Sequence, residues 1–148
     1  MELKPKIGID NLVFGMTETQ VKEILGNPDR KFEINDMGDD EVVLEWREKM
    51  LRLTFYKNEN DRFGYLRTMN PELTFNGSKI MNLQSEIVKE KVFSEFKEWD
   101  TNEFDFLTNY FNDDNWLCLN CEYGIVLDLE MGVPFKNDEE YDWPIIKK

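Results

Sequence analysis

The chain has 148 residues, of which 41% are hydrophobic and 14% aromatic, enough for one domain to bury a core. Acidic residues outnumber basic ones 31 to 18, giving a net charge of -13, and the excess is concentrated after residue 97, where 13 acidic residues face 3 basic ones. Such a surface repels nucleic acid and anionic membrane. The absence of histidine removes the commonest general base and every His-containing nucleophile pair or metal site.

The opening run from Leu12 to Asp29 predicts a helix over 17–25. Thr17 is placed as its N-cap, with Gln20 three residues on to complete a capping box and Met16 positioned as a hydrophobic staple on Val21. Val21, Ile24 and Leu25 form one apolar face, expected to pack on a sheet. Gly26 stands at the C-cap and Pro28 prevents continuation. Ahead of the helix, Phe14-Gly15 reads as a tight entry.

These residues, from Ile9 to Asp29, resemble the opening of proteins with the beta-lactamase-inhibitor-like fold. That group includes small outer-membrane assembly lipoproteins and several families of bacterial toxin-immunity proteins. The resemblance implies a binding or inhibitor protein and leaves its partner unnamed, because one scaffold serves many functions. The start, Met1-Glu-Leu-Lys-Pro-Lys6, has no apolar run of signal-peptide length and no lipid-attachment cysteine. The expectation is a cytoplasmic protein nearer the immunity members than the lipoproteins.

Strand character follows at 31–34, 41–46, 51–56 and 63–69, joined by polar turns; Leu51, Leu53 and Phe55 alternate at period two. Tight turns between such runs describe an antiparallel meander. A second helix is expected over 85–99, with Val88, Val92, Phe96 and Trp99 on one face. Strands are expected again at 115–119 and 124–131. The tail, 134–148, is aromatic and acidic without periodicity.

Cys118-Leu-Asn-Cys121 spells the spacing of a redox or zinc pair. On a strand, however, residues three apart point to opposite faces, and zinc lacks two further Cys or His ligands. Two reduced structural thiols are expected, with no metal and no cofactor. No Gly-rich phosphate loop is present.

Acidic clusters at Asp36, Asp39, Asp40 and Glu41, at Asp113 and Asp114, and at Asp138, Glu139, Glu140 and Asp142 match no calcium loop. They are either solvated loops that keep the chain soluble or, together, an anionic surface facing a basic protein. Trp46, Tyr56, Tyr65, Tyr110, Trp116 and Tyr123 are core residues or, on an open sheet face, interface anchors.

The expected architecture is α+β: a curved antiparallel sheet with helices on one face, one domain over 1–148, divisible into weakly similar helix-plus-meander halves 1–69 and 70–148. The expected function is that of an immunity-type protein, not an enzyme. It would neutralise a cognate bacterial toxin, such as a nuclease, by occluding the active site. The partner-binding residues would be Asp36, Asp39, Asp40, Asp113, Asp114, Trp116, Tyr123, Asp138, Glu139 and Glu140. An envelope-assembly or scaffold binding protein of the same fold, or a small carboxylate-based enzyme, are the alternatives.

Overall fold

A computed structural model describes residues 1–36 and 39–146, apart from the side chains of Asp36 and Asp39. The chain begins with three two-residue strands, β1 (Leu3–Lys4), β2 (Gly8–Ile9) and β3 (Leu12–Val13), paired antiparallel in that order. Helix α1 (Glu18–Leu25) follows, and then β4 (Arg30–Asp36), β5 (Asp39–Trp46), β6 (Leu51–Tyr56) and β7 (Arg62–Thr68). A small hairpin, β8 (Thr74–Phe75) and β9 (Ser78–Lys79), leads to α2. This second helix is α-helical over Ser85–Ile87 and continues as a π turn over Val88–Val92. The last strands are β10 (Asp100–Phe104), β11 (Leu107–Asn112), β12 (Leu117–Glu122) and β13 (Ile125–Gly132).

Eight strands form one antiparallel sheet in the order β10-β11-β12-β13-β7-β6-β5-β4. Each helix is thus followed by a four-stranded meander, and the meanders meet through their last strands, where Leu129 to Gly132 pair with Thr68 to Tyr65. The result is a sheet-dominated α+β protein with two short helices.

The capping chemistry of α1 forms as its sequence directs. Thr17 Oγ1 accepts from Gln20 N–H at 3.2 Å, and Gln20 Oε1 accepts from Thr17 N–H at 2.9 Å. Gly26 closes the helix at φ 80°, donating to Lys22 O at 2.8 Å. The packing face is narrower than the spacing predicts. Val21 is fully buried, whereas Ile24 is 45% exposed and Leu25 is half-buried. The expectation of a core Ile24 is therefore corrected: the helix meets the sheet along a single line of side chains.

Pairing and burial divide the strand side chains into two faces. Val42, Leu44 and Trp46 of β5 lie opposite Phe55, Leu53 and Leu51 of β6. With Leu66, Leu117, Leu119, Leu129 and Met131 they join one buried cluster, which also takes Val21 and Val88 from the helices. The other face carries Glu41, Tyr56, Tyr65, Arg67, Cys118, Asn120, Asp128 and Glu130. One-sided burial of this kind is natural to antiparallel sheets.

Three further expectations change. The second helix stops at Val92, and Phe93, Phe96 and Trp99 pack as an aromatic group with Phe75 rather than as a helical stripe. Asp40 belongs to strand β5, not to the turn ahead of the strand expected from Glu41, and Asp36 pairs with Asp39 at the hairpin end. Strands β10 and β11, which carry no alternating pattern in the sequence, complete the edge of the sheet. No helix among the described residues is long and apolar enough to cross a membrane.

Candidate functional site

Antiparallel register brings the acidic segments to one end of the sheet. Glu41 lies opposite Tyr56, Tyr56 opposite Arg62, and Tyr65 opposite Gly132; Leu117 lies opposite Met131. The β6–β7 turn, the β11–β12 turn and the segment after β13 therefore share that end with Asp40.

Beyond β13 the tail folds back over it. Phe135 and Tyr141 pair across a loop in which the Asn137 side chain accepts from the N–H groups of Glu139 and Glu140, each at 2.9 Å. Rings then run in sequence across the sheet end. Phe111 meets Trp116 edge-on at 5.1 Å and Trp116 meets Phe135 at 5.3 Å; Phe135 stacks on Tyr141 at 4.5 Å and Tyr141 on Tyr56 at 5.3 Å. Such pairs each contribute about 0.5–1.5 kcal/mol beyond their buried area.

Between these rings and the sheet opens a cleft of about 670 Å³. Its rings are Tyr56, Tyr65, Trp116, Phe135 and Tyr141; its carboxylates are Asp40, Glu41, Glu59 and Glu139, and no Lys or Arg among the described residues lines it. A second cavity of about 280 Å³ lies across the Trp116–Phe135 wall, with Asp113 and Asp138 at its sides.

The floor is fixed by close backbone approach and by hydrogen bonds. A Cβ at Gly132 would lie 2.6 Å from Trp116 Cδ1 and 2.7 Å from Tyr65 Cδ2, and one at Gly64 would lie 2.2 Å from the Tyr56 ring. Two strand glycines thus let the rings lie flat on the sheet. Tyr65 donates to Glu130 at 3.0 Å, Asn120 donates to Glu130 at 2.7 Å and also to Asp128, and Arg67 pairs with Asp128 at 2.9 Å. Burial first, and then the neighbouring Glu130 charge, pushes the Tyr65 hydroxyl well above its ordinary pKa. It stays a donor at neutral pH.

Trp116 is held in the left-handed region at φ 49°, a placement that costs a bulky side chain about 1–2 kcal/mol. Asn112 offsets it. This buried side chain accepts from both nitrogens of Asn115 and donates to Glu98 O at 2.9 Å. Its turn fixes the indole at the wall the two cavities share.

The residues expected to bind a partner separate accordingly. Asp40, Trp116 and Glu139 meet in the cleft; Asp113 and Asp138 meet beside Trp116 in the smaller cavity. Asp114 is exposed next to Asp113, and Glu140 is exposed and paired with Lys136 at 3.3 Å. Tyr123 stacks on Phe106 in the β12–β13 turn, 80% exposed, and β12 separates it from Trp116 by about 20 Å. The side chains of Asp36 and Asp39 lie outside the described residues. Trp46 and Tyr110 belong to the core side of the sheet: Trp46 donates to Gly26 O at 3.2 Å, and Lys89 sits 3.6 Å over the Tyr110 ring. Glu59, Phe135 and Tyr141 join the site without a motif that marks them. The hairpin pairing of β6 with β7 was a usable signal for Glu59.

Cys118 and Cys121 are free thiols on opposite faces of β12. Burial, with the charges of Glu130 and Asp128 second, pushes Cys118 up to about 12; burial pushes Cys121 up to about 11. Neither is a thiolate nucleophile at neutral pH. A further cavity of about 440 Å³ at the opposite end of the sheet contains Arg52 and Arg67, both already paired, with Glu45 at 3.0 Å and Asp128 at 2.9 Å.

No protein-family model and no curated protein matches this chain. Among solved structures it is similar to an extracellular protein containing a SCP domain from Bacillus anthracis str. Ames, with a TM-score of 0.50 and 11% identity over 80% of this chain. The chain spans 43% of that protein's length. The likeness concerns the fold alone.

Proposed function

We propose that this protein is an immunity-type binding protein of the cytoplasm. It holds a cognate bacterial toxin in an inactive stoichiometric complex, occludes the toxin's basic active site and performs no chemistry itself. The observation that carries this reading is the grouping of Asp40, Glu41, Glu59 and Glu139 with five rings around one open cleft that, among the described residues, is lined by no basic side chain. Carboxylates there steer a basic surface during encounter, and the rings supply the buried anchor area that sets the off-rate. A nuclease suits such a partner because its substrate groove must be positively charged.

The resemblance of residues 9–29 to inhibitor-like proteins supports the same reading. On it, the halves 1–69 and 70–148 each present one meander, and the cleft straddles the two. The test is co-expression with the toxin domain encoded beside the gene. A 1:1 complex and restored growth are expected. A toxin that stays active with this protein in excess, or turnover of a substrate by this protein alone, would overturn the reading.

A further inference from the structure

Resting on that binding-protein reading, we infer that the outer edge of β10 receives an extended basic segment of the partner, which adds to the eight-stranded sheet as a ninth strand. Three observations lead there.

The first is the edge itself. All five residues of β10, Asp100 to Phe104, pair with β11 in unbroken register. On its other side the described residues make no backbone hydrogen bond to it. Such an edge presents unpaired N–H and C=O groups that template another strand. Lysine, proline, a bulge or a covering element blunts most natural edges. None of these guards β10, and each of its residues is exposed.

The second is an apolar corner beside that edge. Phe104 is 61% exposed, Phe106 45%, Leu107 42% and Tyr123 80%. Phe104 lies opposite Leu107, Phe106 stacks on Tyr123 at 5.3 Å, and Tyr123 N–H donates to Phe106 O at 2.8 Å. Grouped exposed rings of this kind mark an interaction surface.

The third is charge, which selects the occupant. The opposite edge strand, β4, neutralises its charges within the chain: Arg30 pairs with Glu45 at 3.7 Å, Lys31 with Glu18 at 3.0 Å and Glu33 with Lys57 at 3.1 Å. At β10 the carboxylates of Asp100, Glu103 and Asp105 have neither an ion pair nor a hydrogen bond among the described residues. A second copy would set this edge against an identical acidic one, which like-charge repulsion opposes. A partner strand with lysine or arginine at alternate positions meets the acids, and its intervening apolar side chains cover Phe104 and Leu107. Main-chain hydrogen bonds supply affinity in such strand addition, and the alternating side chains supply specificity.

The test uses the whole ¹⁵N-labelled protein and a capped heptapeptide alternating lysine and valine. The peptide should shift the β10 amide signals saturably, at about millimolar strength, and slow exchange of the β10 amides that lack an internal partner. The same peptide with glutamate for lysine should not bind. N-methylation of alternate residues in one phase should abolish binding, and in the other phase spare it, because only one set of peptide N–H groups faces the edge. Asp100→Asn with Glu103→Gln, its fold checked by its urea midpoint, should weaken the lysine peptide at least about tenfold. Equal binding of the glutamate peptide, equal binding of both methylated forms, or no saturable shift at β10 overturns the proposal. Slow β10 exchange in the free protein, with a mass that doubles with concentration, would give the edge to a second copy and overturn it as well. If the toxin is neutralised and β10 exchange in that complex is as fast as in the free protein, only the strand addition fails. If the peptide binds and no toxin is neutralised, the immunity reading fails instead.

Discussion

Replacing Gly64 with alanine tests whether the cleft wall is set by contact between a ring and the backbone. Gly64 has no positive φ, so alanine meets no conformational penalty there and the effect is steric. Its Cβ would lie 2.2, 2.6 and 2.8 Å from three carbons of the Tyr56 ring, where ordinary contact begins at 3.4 Å. The ring must retreat by about 1 Å or more, and overpacking of this kind costs about 1–3 kcal/mol. Moving Tyr56 also disturbs its stack on Tyr141 at 5.3 Å and its hydrogen bond to Gly64 O at 3.3 Å. Chemical denaturation of four proteins decides the matter: wild type, Gly64→Ala, Tyr56→Ala and the double variant. With the ring removed, the alanine methyl fits, and the lost glycine freedom in the unfolded chain turns the change neutral or stabilising by up to about 1 kcal/mol. A Gly64→Ala cost that is the same in both backgrounds would refute the reasoning.

Val21→Ala should destabilise by about 2 kcal/mol, from two lost methyl groups and the cavity they leave; Ile24→Ala, at a 45% exposed site, should cost under about 1 kcal/mol, and urea midpoints will rank the two. Because burial raises both thiols from 9.0, to about 12 and about 11, the unfolded chain ionises first, so stability should fall as pH rises from 9 towards 11. Cys118→Ala should flatten that fall in urea titrations, and an unchanged slope would contradict it. Native protein should resist alkylation at pH 8 and keep the same mass with and without reductant. On the proposed immunity reading, neutralising Asp113, Asp114, Asp138, Glu139 and Glu140 should slow toxin association more than it speeds dissociation, and the difference should vanish near 1 M salt, where screening acts within about 3 Å. In that set Glu140 should matter least, since Lys136 already faces it. Trp116→Ala should instead raise the dissociation rate in surface-binding kinetics.

The sequence is most legible where structure is set locally. The α1 boundaries follow from Thr17, Gln20 and Gly26 because each acts within one turn. Ile24 is misplaced because helical spacing states which side chains share a face, not how wide a strip the sheet can cover. The second helix is overextended for a related reason: Phe96 and Trp99 keep helical spacing after the chain has left the helix at Val92, and they bury against Phe75 and Phe93 instead. Strand β10 is exposed throughout, so no hydrophobic alternation marks it. The acids and rings of the site were visible as residue types. Their grouping was not, because it depends on the tail returning across the sheet, and no local signal encodes the stacking of Tyr141 on Tyr56.

The joining of the meanders through β7 and β13 has a kinetic consequence. Every other pairing in the large sheet links neighbours in sequence, whereas this one closes a loop of about 60 residues. Closing it costs more entropy than any hairpin, so each meander should form before the two dock. The cleft takes Tyr56 and Tyr65 from one meander and Trp116 from the other. It therefore does not exist in a molecule whose meanders are complete but unjoined. During refolding, strand signals should recover ahead of the Tyr56–Tyr141 and Trp116–Phe135 ring contacts, and a freshly synthesised chain would gain its cleft only in the last step of folding.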